Sequence, residues 1–358
     1  MIKRTFEDSA DTSKQMRIPT EVIERFNSET RFLQFCGSAL AISQVFDTYW
    51  RFAAERQAIF FRRLQNDTPV TTDPILTEFK FTNAYRASDR VSQYLIKRVA
   101  YSGSQAPEEV FFRIILFKLF NKIETWEMLR REVGTVSYRE FCFDAYDRAL
   151  TEALSKKETI YSAAYIMPSG GCKGESRKHR SHLRLLERMM CDKVPVQIAN
   201  MRKMKDAFLL LRSYPMIGNF LAFQFVTDLN YSTLTDFDEM DFVVAGPGAL
   251  DGIRKCFPQA DLKFATELIR FMTDIQEQQF SRLGISFQSL WGRPLQLIDC
   301  QNLFCEVDKY SRRAHPEVVG VSGRTRIKQQ FRPHLDPLKL YYPPKWKIND
   351  RLPQQYRA

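Results

Sequence analysis

The chain has 358 residues, 53 Lys and Arg against 42 Asp and Glu, a formal charge of +11 and a pI near 9.3. Hydrophobic residues at 44%, with 13% aromatic, supply a large core and exclude a disordered chain, while the basic excess points to an anionic partner, nucleic acid first. No signal peptide and no apolar run of bilayer length is visible, so no membrane is expected, and seven scattered cysteines without a C-x-x-C pair read as reduced thiols in the cytoplasm.

In chain order, residues 1–25 are polar and mixed in charge and read as a mobile arm. Helical periodicity then dominates over 29–64, 88–100, 108–120, 138–155, 182–191, 197–211, 219–229, 262–283 and 300–311. Convincing alternating strands are absent, with short extended pieces expected only near 77–82 and 160–167. Residues 67–74 and 168–180 read as loops, and 246–248 as a tight turn. The tail, 314–358, is basic and Pro-rich and reads as an extension that wraps the surface or touches DNA rather than a domain. The fold class is mainly α.

The run Tyr214-Pro215-Met216-Ile217-Gly218-Asn219 separates two apolar helical segments and forms a helix-hairpin-helix unit over about 196–230. Such a turn aims backbone amides outward, suited to a phosphate at a helix N-terminus. An ordinary helix–helix turn would carry the same residues. Asp241 follows about twenty positions on, with Asp238 and Glu239 as alternative carboxylates; an Asp before an apolar run is also a common N-cap. Gly246 and Gly248 would bring a second backbone turn near a phosphate, with Arg254 adding charge. Lys173, Arg177, Lys178 and Arg180 make a basic loop suited to phosphate contact. His179 and His182, with Cys172 and Cys191 nearby, make only a weak metal pattern, so no metal and no cofactor are expected. The P-loop spacing is not met by 170–176.

The segment 79–90 gathers aromatics, an amide, a guanidinium and a carboxylate in Asn83, Tyr85, Arg86 and Asp89. These types suit a base held by stacking and edge hydrogen bonds, and equally a helix start at Ser88. Asn121 and Lys122, and Asn302 with Glu306, repeat the polar character and complete a candidate base pocket, although a solvated face would look the same.

The runs 78–90, 214–222, 240–248 and 305–310 together resemble the α-glutamyl/putrescinyl thymine pyrophosphorylase family, which shares a helical domain with phage 5-hydroxymethyluracil DNA kinases. The resemblance spans roughly 26–313. It implies a helix-hairpin-helix, DNA-glycosylase-like fold of two helical lobes with a cleft between them, acting on modified phage DNA without an obligate protein partner. Within that family it most resembles a bacterial anti-phage DNA glycosylase. That implies a monofunctional enzyme flipping out and excising α-glucosyl-5-hydroxymethylcytosine, with Asp241 catalytic. Asn219 and Phe220 stand where bifunctional relatives carry lysine, so no lyase step is expected. Two alternatives remain open: a transferase adding an amine or amino acid to activated 5-hydroxymethyluracil in DNA, and a non-catalytic reader of modified DNA.

Overall fold

The computed structural model describes residues 31–170, 175, 177–332 and 338–357. The expected N-terminal arm (1–25) and Lys173 lie outside the described residues.

The chain is mainly helical, but it opens on a hairpin that the periodicity reading missed. Strands β1 (Arg31–Phe35) and β2 (Ser38–Ile42) pair antiparallel, Phe35 opposite Ser38. Cys36 and Gly37 both have positive φ (48° and 77°) and close a two-residue turn, the chirality that matches strand twist. Helix α1 (Gln44–Gln65) therefore starts fifteen residues later than a 29–64 helix would, after Ser43, whose side chain accepts from the Val45 amide. Asn66 ends it at φ 60°.

A short α2 (Pro74–Glu78) starts after Asp73, whose carboxylate accepts from the Ile75 and Leu76 amides. The extended piece expected at 77–82 is reduced to one bridge between Phe79 and Gln330. The expected 88–100 helix is subdivided: a 3-10 turn at Arg86–Ser88, α3 (Arg90–Tyr94), and a π-helical turn at Leu95–Ala100. Arg113, on the next helix, donates to the carbonyls of Val99, Ala100 and Ser104 and so satisfies the wide turn's end.

Helix α4 (Pro107–Phe120) is buried at every position from Val110 to Phe120, the mark of a central helix. Around it run α5 (Ile123–Val133), α6 (Phe143–Ser155), α7 (Lys178–Cys191), α8 (Val194–Ala199) and α9 (Met204–Arg212). The expected 197–211 helix is thus broken after Ala199. Helix α10 (Asn219–Asn230) packs on α9 and α4 and is buried from Leu221 to Asn230. The remaining helices are α11 (Pro247–Cys256), α12 (Ala265–Asp274), α13 (Gln276–Arg282) and α14 (Leu297–Ala314).

The closest pairing is α11 against α14. A β-carbon on Gly252 would lie 2.1 Å from the Phe304 carbonyl oxygen, and one on Gly248 3.1 Å from Cys305 Sγ. These glycines let two helix backbones touch. A β-carbon on Gly246 would lie 2.8 Å from the Phe220 ring. Gly246 stands as N-cap of α11 and Gly248 in its first turn, and at both the side a β-carbon would occupy faces protein. The tail also departs from a mere surface wrap. Leu340, Tyr342, Ile348 and Leu352 are buried in the main core. No helix among the described residues is long and apolar enough to cross a membrane.

Candidate functional site

Two polar clusters lie near Tyr165, a residue between α6 and α7. The deeper one is built from charges set into otherwise apolar helices. Asp228 on α10 is 1% exposed and takes the Arg86 guanidinium in two bonds, Nη1 to Oδ1 at 2.7 Å and Nη2 to Oδ2 at 2.9 Å. Lys118 of α4, 2% exposed, reaches Asp228 Oδ2 at 3.0 Å and donates to Asn121 Oδ1 at 2.7 Å. Gln224 accepts from Arg86 Nε at 3.1 Å, and the Arg86 amide donates to Asp299. Two cations, Arg86 and Lys118, thus share the Asp228 carboxylate.

Burial works against every charge here. At Arg86 the Asp228 carboxylate outweighs it, with Tyr231 and Tyr165, and holds the pKa above its ordinary value. At Asp228, Arg86 and Lys118 outweigh it and hold the pKa down. At Lys118 burial wins and lowers the pKa, although Asp228 opposes it. Removing one partner of such a set leaves an uncompensated buried charge, at a cost of about 3–5 kcal/mol.

The shallower cluster joins α1, the 79–89 segment and α14. Arg56 donates from Nε to the Thr82 carbonyl and from Nη2 to Asn83 Oδ1. The Asn83 amide donates to Asp89 Oδ1 at 2.8 Å, and Asn83 Nδ2 to the Ser88 carbonyl. From α14, Glu306 accepts the Thr82 amide and pairs with Lys309 at 2.8 Å, while Asn302 donates to Thr82 Oγ1. Asp89 Oδ2 accepts nothing among the described residues. Burial pushes the Asp89 carboxyl up to about 7; the nearby Glu306 adds to the rise, and the Asn83 amide, Arg56 and Arg86 oppose it.

Tyr165 links the two clusters. Its ring stacks on Phe220 (centroids 5.7 Å apart, planes 10° apart) and lies 4.3 Å from Lys118 Nζ. Burial raises its hydroxyl up to about 12; Arg86 lowers it, and Asp89 and Asp228 both raise it.

The structure thus brings Asn83, Arg86, Asp89, Asn121, Asn302 and Glu306 into these two clusters. Asn121 acts there as the α4 end residue, at φ 49°. Tyr85 goes instead to the core: it is 1% exposed, and its hydroxyl donates to the Arg293 carbonyl at 2.6 Å. Lys122 is tied to Thr159. Sequence reasoning missed Lys118, Asp228, Gln224 and Tyr165. Three of them left only a weak signal, as polar side chains inside the apolar runs 110–120 and 220–229, which also hold Arg113 and Thr227. Tyr165 had none. One open cavity, about 370 Å³, is lined by Glu55, Arg62, Pro69, Thr71, Thr72 and Asp73, and none of the expected site residues borders it.

The expected hairpin forms between α9 and α10. Met216 takes φ 67°, Gly218 caps α10 without a side-chain bond, and Gly218 and Asn219 are exposed. The first amides of α10 have no helical acceptor, as at any helix start. Tyr214 and Ile217 are buried, Tyr214 bonding Asp192 Oδ2 at 2.8 Å, and Pro215 is half-buried. These residues anchor the turn, while Gly218 and Asn219 form its open tip.

Asp241 is exposed, and its backbone carbonyl accepts from Arg270 at 3.1 Å. Asp238 caps the same turn by accepting the Met240 amide. Glu239 is committed to Trp346 Nε1 at 2.7 Å and Arg293 at 2.9 Å. In the basic loop, Arg177 is exposed and bonded to Thr151. Lys178 lies over Tyr161, and Arg180 is engaged by Asp147 and Glu175. Arg254 donates to the Pro258 carbonyl. His179 bonds Asp147, and His182 bonds Tyr161 and the Pro168 carbonyl. Among the described residues no His, Cys, Asp and Glu group is placed to hold a metal ion.

Comparison with known proteins gives the family. Residues 43–320 match the family described as 5-hmdU DNA kinase, helical domain. The chain belongs to that family. A protein named 5-hmdU DNA kinase from Bacillus phage SP10 is 24% identical over 289 residues, covering 74% of this chain and 45% of the relative. The chain thus spans under half the length of that relative. No solved structure matches. The shared helical domain implied by the resemblance is therefore established. The expectation of a DNA N-glycosylase, with Asp241 supporting hydrolysis of the glycosidic bond, is overturned: the named relative is a kinase, hence a transferase, and the family carries the same name.

Proposed function

We propose that this chain works as a transferase on DNA, handling a 5-hydroxymethyl-pyrimidine and exchanging a group at its 5-substituent while the glycosidic bond stays intact. The observation that carries the reading is the match to the 5-hmdU DNA kinase helical domain across 43–320, a stretch that contains every residue of both polar clusters. The basic composition and the open tip at Gly218 and Asn219 support docking on phosphates. Reaching the base requires taking it out of the stack, at a few kcal/mol.

Asp89 is the residue proposed for proton transfer. Its raised pKa puts it near neutrality, where a base both accepts and releases protons well, and its Oδ2 is uncommitted. In the amine-transfer form of the reaction, the amine nitrogen attacks the 5-methylene carbon. The bond from that carbon to the oxygen of an activating pyrophosphate breaks, pyrophosphate leaves with the electron pair, and Asp89 takes the amine proton. The Asn83 amide holds Asp89 in place, and Arg56 in turn holds the Asn83 side chain.

The test is nucleoside mass spectrometry of 5-hydroxymethyluracil DNA after incubation with the protein. One arm supplies ATP; the other supplies pyrophosphorylated DNA and a set of amines. A mass gain on the intact nucleoside in either arm is expected. No gain in either arm overturns the reading.

A further inference from the structure

The Tyr165 side chain sits where its surroundings suit a different occupant. Its backbone holds φ 55°, a left-handed conformation uncommon outside glycine and asparagine. Its ring rests flat on Phe220, and Lys118 Nζ and the Arg86 guanidinium lie 4.3 Å and 6.0 Å from its centroid. Its hydroxyl feels both Asp89 and Asp228. Beneath it Arg86 and Lys118 share the Asp228 carboxylate. Its neighbours Ala164 and Ile166 are exposed, Ile166 by 66%.

An aromatic face beside buried side-chain donors is what holds a nucleobase: the face stacks on the ring and the donors reach its carbonyls. Tyrosine, a single six-membered ring with a polar edge, imitates a pyrimidine in size. We infer that the slot filled by Tyr165, on Phe220 and above Arg86 and Lys118, is the binding site of an extrahelical pyrimidine, and that Tyr165 leaves it as the base enters. This rests on the proposed function and names the place where its substrate sits. Phe220 becomes the stacking platform, Lys118 and Arg86 face the carbonyl edge, and Asp89 is left to the 5-substituent.

The experiment is fluorescence anisotropy with single-stranded oligonucleotides carrying either one 5-hydroxymethyluracil in a thymine-free sequence or an abasic site at that position. Tyr165→Ala removes the competing stack, so it should bind the modified oligonucleotide roughly two- to tenfold more tightly than the wild type, with no gain on the abasic one. Tyr165→Phe keeps the ring and should match the wild type. Phe220→Ala should lose the preference for the modified over the abasic strand. Thermal melts check folding, and Tyr165→Gly, which relieves the left-handed backbone, substitutes for the alanine variant if that melts early. No gain, or an equal gain on the abasic strand, overturns the slot and leaves the transferase reading standing. A gain in a protein that fails both arms of the mass assay keeps the slot and removes the transferase.

Discussion

The two polar clusters contain the same kinds of residue and differ in how fully they are satisfied. In the deep one, both Asp228 oxygens are taken by Arg86 and Lys118, and all three side chains are at most 3% exposed. In the shallow one, Asp89 is only partly covered, and just one of its oxygens is bonded. A carboxylate saturated by cations is held ionised and inert. A carboxylate that is desolvated without a saturating partner is held near its titration point. The first arrangement suits a floor; the second suits chemistry.

The largest effect separating the two should come from Asp228→Ala, which strands Arg86 and Lys118 without their anion. A stability loss of about 3–5 kcal/mol is expected in urea denaturation; a loss under 1 kcal/mol would show that the deep cluster is not what secures α4 to α10. Asp89→Asn should do the reverse, leaving the melting temperature near the wild type while lowering the transfer rate by roughly a hundredfold or more. Its pH behaviour sharpens the contrast. A carboxyl raised from 3.8 to about 7 keeps its proton in the folded chain where the unfolded chain has lost it. Its stabilising share is complete below pH 3.8 and fades as pH rises toward about 7. Calorimetry across that range should show the decline in the wild type and a flatter curve in Asp89→Asn. A smaller effect is expected from Glu306→Ala, which strips the acceptor from the Thr82 amide and should cost about 1–3 kcal/mol. The smallest is Arg177→Ala: DNA affinity measured against salt should lose about one unit of slope if this exposed arginine meets a phosphate, and an unchanged slope would remove it from the interface.

Helix positions were legible where burial is one-sided, as in α6, because spacing reports a face, and where an apolar run is continuous, as in α10. The hairpin at 31–42 was not, because ten apolar-rich residues fit either period and only the Cys36–Gly37 turn decides between them. The tip at Gly218 and Asn219 was visible from its turn residues. The glycines at 246, 248 and 252 look alike in sequence whether they approach a phosphate or a neighbouring helix, and only the contacts with Phe220, Cys305 and Phe304 distinguish the two. Of the site, the 83–89 segment could be read from its residue types. Its partners on α4 and α10 are lone polar residues in apolar helices, outweighed by their neighbours in any composition window. Asp241 was placed by resemblance to enzymes of another activity, and the kinase relative removes that basis.

The tail beyond residue 320 lies outside the matched stretch, yet Tyr342 bonds Ser88, Lys345 reaches the Ser232 and Thr235 carbonyls, and Trp346 bonds Glu239. Ser88 is adjacent to Asp89, so the tail buttresses the wall on which the proposed proton acceptor stands. The edge of the matched stretch and the edge of mechanical support therefore fall at different places in this chain. A shortened protein cut at residue 320 would keep the whole stretch matched to the family and lose the brace behind the Ser88–Asp89 wall.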